Sequence, residues 1–347
     1  MIVVPAHNEA AILGARLEVL KKAAESYADI LLVADNCTDS TAEIATKVGV
    51  EVVERVDAKR RGKGFALDFA RSHLKQNPPD VVLVIDADCM IDGRSLEALI
   101  QSCTATGRPC QATNLQTPPP NASPSVQVST FAFFIKNVIR QRALQRLASR
   151  ANLLGTGMAF PWSIFSDAEL ATSNIVEDLK LGQELALSGH APLFIERAAV
   201  WSDAETGGGT LSQRSRWEGG FLQNALRVGP LMLAQNSIRG DIRGIWAAID
   251  TMIPPFALLI LLDLIAAAFA AAAARFAGAD YTPLLLLAGS VVLSLALIGL
   301  AWRAGGTRFL SARALWRAPF YILWKIPMYL GFARGRIPRQ WVRTDRE

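Results

Sequence analysis

Along the first hundred residues, short apolar runs alternate with stretches whose apolar positions recur at helical spacing. The runs are "MIVVPA", "ILLVADN", "VEVVER" and "DVVLVIDAD", and the helical stretches between them cover 10–26, 41–48 and 65–75. Strand and helix in regular alternation predict βαβ units, and near-continuous Val, Ile and Leu runs predict parallel strands covered on both faces. The fold class read from this is α/β, a doubly wound nucleotide-binding sheet. The segment "TPPPNASPS", 117–125, is too rich in proline for helix or strand and predicts a loop or a joint between sub-domains. Beyond it, 126–147 sets apolar residues against Lys136, Arg140, Arg142 and Arg146 at helical spacing. That pattern fits a helix lying on a membrane surface or one with a solvated basic face.

Further on the pattern changes character. From Thr251 to Ala274 a single charge, Asp263, interrupts the apolar residues, and the 22 residues from Tyr281 to Trp302 carry none. Each stretch can cross roughly 30 Å of hydrocarbon as a helix, so transmembrane helices are expected at about 251–275 and 281–302. A third candidate, 316–333, contains Lys325 and two prolines, and its aromatics (Phe320, Tyr321, Trp324, Tyr329, Phe332) suit an interfacial helix or a spanning one. The expected division is a catalytic domain over 1–240 and a membrane domain over 241–347 with two or three helices and a basic tail.

Composition sharpens this division. Hydrophobic residues make up 51% of the chain and charged ones 19%, which suits one α/β domain joined to a greasier part. Lys and Arg outnumber Asp and Glu by 36 to 31, and from Arg303 onward ten basic residues face only Asp345 and Glu347. Beside hydrophobic helices, such a tail follows the positive-inside rule and touches anionic lipid, so membrane lipids rather than nucleic acid are the expected partner. Cys37, Cys89, Cys103 and Cys110 show no CxxC pairing, and His7, His73 and His190 lie far apart, so zinc spacing is absent and a reducing cytoplasm is expected for the polar domain. The opening "MIVVPAHNEA" has neither the basic start nor the long apolar run of a signal peptide, which leaves membrane insertion to the C-terminal helices.

In doubly wound sheets, ligands sit beyond the carboxyl ends of the strands. The polar residues of this chain fall there: Pro5 to Glu9 after the first run, Asp35 to Asp39 after the second and Asp86 to Asp88 after the fourth. "DAD" places two carboxylates at i and i+2 on a strand exit, where both can approach one hard cation bridging a diphosphate; an exposed turn would look the same. In "DNCTDST", Asp35 or Asp39 can accept hydrogen bonds from a base or ribose, or Asp39, Ser40 or Thr41 can cap the next helix. "KRRGKG", 59–64, offers cations and two glycines before a helix, as a phosphate loop or a surface charge run; it lacks Walker A spacing. "VED" puts Glu177 and Asp178 in a first helical turn, where either catalysis or the helix dipole accounts for them.

Taken in order, "PAHNE", "DNCTD", "RRGKG", "DAD", "GTGMAF", "VED" and "QRSRW" resemble the inverting, GT-A fold glycosyltransferases of family 2. The likeness is greatest to the membrane-embedded QxxRW branch that contains cellulose, chitin and hyaluronan synthases and ceramide glucosyltransferase. The resemblance covers roughly residues 2–217, with the membrane helices following. It implies that Pro5, Ala6, Asn8, Glu9 and Asp35 hold the uridine of a UDP-sugar, with Lys63 as a further nucleotide contact. Asp86 would contact nucleotide or donor sugar, and Asp88 would hold Mg2+ or Mn2+ on the diphosphate, oxygen ligands matching a hard ion.

The same resemblance makes Asp178 the catalytic base and Arg216 the group that holds the departing diphosphate, with Gly157, Glu177, Gln213 and Trp217 at the acceptor. The departure is Val176, where the family's "TED"-like motif has Thr. The implied partners are a UDP-sugar, a glycan or lipid-linked acceptor and accessory polysaccharide-export proteins, at the inner (plasma) membrane with the catalytic domain cytoplasmic and a multi-pass anchor. With two or three helices, transfer to a membrane-presented acceptor stands beside processive synthesis. Two alternatives remain: a polyprenyl-phosphate sugar transferase, which typically lacks QxxRW, and a catalytically silent membrane scaffold or sugar-nucleotide sensor.

Overall fold

The computed structural model describes residues 1–172, 176–204 and 209–335, with the backbone alone for 209–214 and 216. In chain order it opens β1 (Ile2–Ala6), α1 (Ala10–Ala24), β2 (Ile30–Asp35), α2 (Thr41–Val48), β3 (Glu51–Arg55), α3 (Lys63–Leu74), β4 (Val81–Val84), β5 (Met90–Ile91) and α4 (Gly93–Thr106). Next come β6 (Cys110–Thr117), then α5 (Pro124–Phe134), a π-helical turn (Ile135–Ile139) and α6 (Arg140–Ala148), followed by β7 (Met158–Pro161), α7 (Trp162–Asp167), α8 (Glu177–Leu187) and β8 (Leu193–Asp203). The C-terminal part is helical: α9 (Gly209–Arg227), α10 (Gly229–Arg239), α11 (Ile242–Met252), α12 (Phe256–Ala277), α13 (Thr282–Arg303), α14 (Ala312–Leu315) and α15 (Ala318–Ala333).

Among the described residues the strands form one sheet of order β3-β2-β1-β4-β7-β6-β8-β5. The half from β3 to β4 is parallel, with Val3 opposite Leu31 on one side and Val84 on the other. It is buried on both faces, as the apolar runs predict: Ile2, Val4 and Leu32 pack with α1 and α4, while Val3, Leu31 and Val33 pack with α3, α7 and α8. The other half is mixed: β7 runs antiparallel to both β4 and β6, and β8 runs parallel to β6. This half lies in strands that the apolar pattern does not mark. In β6, Gln111, Thr113, Asn114 and Gln116 are buried, and Gln111 donates to the Thr156 carbonyl at 2.8 Å while accepting from the Leu154 N–H at 2.8 Å. Hydrogen bonds, not apolar side chains, make that strand compatible with the interior.

The 126–147 segment is helical, with Lys136 and Arg146 exposed, while two of its other basic residues have intramolecular partners. Arg140 donates to Asp250 at 2.6 Å and lies 5.2 Å from the Phe221 ring, and Arg142 pairs with Glu196. Asp250 belongs to α11, so this helix of the expected membrane domain is fastened to the polar half. Pro254 and Pro255 end α11 and delay the first apolar helix to Phe256, five residues beyond the expected start, since proline cannot sit inside a helix without losing a backbone bond. Phe256–Ala277 and Thr282–Arg303, each of 22 residues with mean hydropathy 2.5 and 2.6, are long and apolar enough to cross a membrane. The third candidate is different. α15 has 16 residues, short of the ~20 that a span requires. Its Lys325 is buried in an ion pair with Glu218 of α9, and Tyr321 joins an apolar cluster with Phe131 and Phe134 of α5.

Candidate active site

β1 lies between β2 and β4, and chain connections leave it in opposite directions, so a crevice opens at the carboxyl ends of these three strands. The expected uridine residues gather on its β2 side. Pro5 and Ala6 close β1, Asn8 adopts a left-handed turn at φ 56° and accepts the Thr38 N–H at 2.7 Å, and the Glu9 N–H donates to Thr41 Oγ1 at 2.9 Å. Asp39 ties the starts of the two helices together, accepting from the N–H groups of Ala10 at 3.1 Å and Thr41 at 3.0 Å. Asp35 is buried at the end of β2, where Arg55 donates to it at 2.6 Å and Asn36 at 3.0 Å. Arg55 went unremarked in the sequence; it ends β3, beside β2, and its guanidinium lies 5.6 Å from the Phe65 ring.

On the β4 side, β7 begins where β4 ends, with Met158 opposite Val84, so the Gly155–Gly157 turn lies against the DxD. Thr156 Oγ1 accepts the Asp86 N–H at 3.1 Å. Lys63, the first residue of α3, reaches over to pair with the Asp86 carboxylate and donates to the Gly155 carbonyl at 2.7 Å. The two glycines of "GKG" serve different needs: Gly62 turns the chain at φ +124°, whereas a Cβ on Gly64 would stand 2.4 Å from the Leu170 carbonyl oxygen. Gly157 is a packing glycine: a Cβ there would lie 2.7 Å from Val200 Cγ2.

Glu177 and Asp178 enter the same crevice at the start of α8. Asp178 Oδ2 lies 3.4 Å from where a Cβ on Gly155 would stand, and Lys63 Nζ 3.7 Å from that point, so base candidate, lysine and DxD share one site. A small hollow open to solvent is lined by Lys63, Gly155, Glu169, Thr172, Glu177 and Asp178. Burial tends to strip the Lys63 proton, but the charges of Asp86, Glu177 and Asp178 outweigh it and raise its pKa. Burial, and then the charge of Asp178, push Glu177 up to about 8 against the opposing pull of Lys63. Burial also raises Asp178, against the Leu179 N–H it accepts and the nearby charges of Lys136 and Lys63.

Asp86, Asp88 and Cys89 bring ligand atoms within 4.8 Å of one another. Burial and the two aspartates hold the Cys89 thiol well above its ordinary pKa, so it stays a neutral, weak ligand. The fitting ion is therefore one that prefers carboxylate oxygen, such as Mg2+ or Mn2+.

The side chains of Gln213 and Arg216 lie outside the described residues. Their helix is nonetheless fixed against α8: a Cβ on Gly220 would meet Val176 Cγ1 at 2.9 Å, and the Trp217 ring is 6.0 Å from Phe133 of α5. Phe133 and Lys136, which bring α5 and the π-turn to the site, carry no motif that the sequence reading could detect. Such turns are frequent at functional sites.

A raised carboxyl has a thermodynamic signature. Glu177 adds stability that is complete below the unfolded glutamate pKa of about 4.3 and is lost as pH rises through about 8. Without divalent cation, the thermal midpoint of the wild-type protein is expected to fall more steeply from about pH 5 to about pH 8 than that of Glu177→Gln. Parallel pH profiles for the two would remove the shift.

A parallel half-sheet that collects acids and amides at its switch point, closed by a mixed half in which antiparallel β7 carries a glycine turn and is followed by an acidic helix start, defines a GT-A-like transferase fold. The chain belongs to glycosyltransferase family 2, its residues 1–220 matching the family described as "Glycosyltransferase like family 2". A stretch of 100 residues is 35% identical to an uncharacterized protein of Methanocaldococcus jannaschii, covering 29% of this chain and 40% of that relative's length. Among solved structures, glucosyl-3-phosphoglycerate synthase of Mycobacterium tuberculosis with Mn2+, UDP and phosphoglyceric acid aligns over 64% of this chain and 76% of its own, at 16% identity and a TM-score of 0.42. The same enzyme with Mg2+ and UDP aligns over 64% and 77%, at 17% identity and a TM-score of 0.43.

Proposed function

We propose that this protein is a membrane-bound, metal-dependent, inverting glycosyltransferase of the QxxRW branch. It moves a sugar from a UDP-sugar to a hydroxyl of a glycan or lipid-linked acceptor at the cytoplasmic face of the inner membrane, in cell-envelope assembly. The observation that carries the reading is the meeting of Asp86, Lys63, Gly155 and Asp178 in one crevice, from four separate parts of the chain. A silent scaffold has no need to hold these acids together against their mutual repulsion.

Inversion is an in-line displacement. The acceptor oxygen bonds to the anomeric carbon as the bond from that carbon to the diphosphate oxygen breaks, and the acceptor proton passes to Asp178. Its raised pKa makes Asp178 a stronger base than an ordinary aspartate while the Lys63 and Lys136 charges keep its anion accessible. Glu177, protonated near neutral pH, can donate a hydrogen bond to the acceptor. Pro5 to Glu9 and Asp35 hold the uridine, Asp86 and Lys63 orient the donor, and Arg216 meets the charge that builds on the departing UDP. Asp88, with Asp86, would hold Mg2+ or Mn2+, which when bound stabilises charge on the diphosphate without a proton donor.

Membrane attachment is supported by the exposure of the two long helices. Only 11% and 6% of their apolar windows are buried, whereas a core helix of a soluble protein would be mostly covered. In this reading Trp217, whose ring lies 6.0 Å from that of Phe133, offers an apolar face to the acceptor sugar. The test is transfer: membranes carrying the wild-type protein, given a panel of radiolabelled UDP-sugars, are expected to incorporate label from at least one into a lipid or polysaccharide fraction. Incorporation no higher than in control membranes, for every donor, would overturn the proposal.

A further inference from the structure

α15 is apolar along nearly its whole length, yet it carries Lys325, which is only 3% exposed. A buried ammonium is costly unless its charge and donors are met. Here they meet Glu218, which directly follows the QRSRW segment. Lys325 Nζ pairs with Glu218 Oε1, Tyr329 donates its hydroxyl proton to Glu218 Oε2 at 2.8 Å, and the ammonium lies 5.0 Å from the Tyr321 ring centroid. Both carboxylate oxygens are thus occupied by groups one helical turn apart on α15.

The contact is also directional. Trp217 meets Phe133 of α5 and Gly220 receives Val176 at the start of α8, so one face of α9, a turn apart, is touched by α5 and by the helix of the proposed base, while Glu218 falls on a different face. Apolar packing alone allows a helix to slide or rotate by small amounts. A buried, hydrogen-bonded charge pair does not, because a shift that separates the partners leaves two unpaired charges away from water. α15 is in turn anchored on the α5 side by Tyr321 within the Phe131, Phe134 and Phe309 cluster.

We infer that Glu218, Lys325 and Tyr329 are positioning residues: they lock the rotation and height of α9, and with it residues 213–217, against the start of α8, so that the C-terminal helix next to the membrane sets the geometry of the leaving-group and acceptor side of the site. The inference rests on the reading of α9 as the QxxRW helix. The donor side, built from β1, β2, β4 and α3, does not depend on this lock.

The experiment compares Lys325→Met, Lys325→Arg and Tyr329→Phe with wild type, full-length in lipid nanodiscs. Hydrogen–deuterium exchange is expected to be at least about 10-fold faster for α9 amides in Lys325→Met, with β1, β2 and β4 unchanged, a loss of about 1.4 kcal/mol of local protection per tenfold. Transfer is expected to lose at least about 10-fold in kcat while the affinity for uridine, which in this reading the β1–β2 side alone holds, stays within about twofold, and Lys325→Arg is expected to recover most of the rate. Tyr329→Phe removes one hydroxyl and no charge, so it serves if the methionine variant does not fold; a smaller change in the same direction is expected. Unchanged α9 exchange, or uridine affinity falling in step with kcat, would overturn the inference. The exchange measurement requires no turnover, so its outcome is independent of whether the glycosyltransferase proposal holds.

Discussion

Asp178→Asn is expected to bind UDP as the wild-type protein does and to transfer sugar more slowly by a factor of about 10²–10⁴. Asparagine keeps the size of the side chain and an oxygen that can accept the Leu179 N–H, now made by Asp178 at 2.8 Å, so the start of α8 should be preserved. What disappears is the site for the acceptor proton. Lys63 keeps its pair with Asp86 and its bond to the Gly155 carbonyl, so the donor side loses no contact. If Asp178 served only to complement the helix dipole, the loss would be about 0.3–1 kcal/mol of stability and the rate per folded molecule would be unchanged. Initial rates at saturating donor, beside a UDP titration, separate the two cases, and a variant with normal turnover would remove the assignment. The pH profile adds a check: the wild-type rate should rise with pH as Asp178 ionises, and the residual rate of the variant should lack that limb.

The strands that the sequence marks and those that it conceals differ in how they are made compatible with the interior. β1, β2 and β4 exclude water with Val, Ile and Leu on both faces, so the apolar pattern identifies them to within a residue or two. β6 is buried with Gln111, Thr113 and Asn114, whose side chains meet partners brought from 40 or more residues away. A window of neighbouring residues cannot register such partners. The direction of β7 was concealed for the same reason: it is four residues long, and only its pairing with β4 reveals that it runs antiparallel and delivers the glycine turn to the DxD.

The candidate site divides along the same line. Strand-end acids announce themselves, because a carboxylate directly after a buried run has nowhere to point but the crevice. Their counter-charges do not. Arg55 beside Asp35 and Lys325 beside Glu218 are paired across 20 and 107 residues, and nothing local distinguishes them from other basic residues. Lys325 is the sharper case. Read along the chain it was a blemish in a hydrophobic stretch, compatible with an interfacial or a spanning helix. In three dimensions it ties that stretch to α9 through Glu218.

Removing the divalent cation or its ligand is the other change expected to nearly abolish transfer. The argument begins with what the DxD carboxylates already do. Asp86 is paired with Lys63, so its charge is partly compensated within the protein. A thiol held well above its usual pKa by burial and by both aspartates cannot compete as a thiolate ligand. Asp88, to which the proposed function gives the ion, is expected to contribute the larger share of cation affinity, and Asp88→Asn should weaken Mn2+ binding more than Asp86→Asn, whose carboxylate is already engaged by Lys63. Because the ion stabilises charge on the leaving diphosphate by several kcal/mol, Asp88→Asn and wild type in excess EDTA are both expected to lose about two to three orders of magnitude in kcat/KM. Added Mn2+ should fully restore the chelated wild type but restore the variant only in part, and Cd2+, a thiol-seeking ion, should restore neither. The measurement is the rate across a Mn2+ titration for both proteins. A wild-type rate indifferent to EDTA would end the metal assignment; Asp88 would then have to act on the donor directly, through a hydrogen bond that asparagine could supply, and Asp88→Asn would be nearly silent.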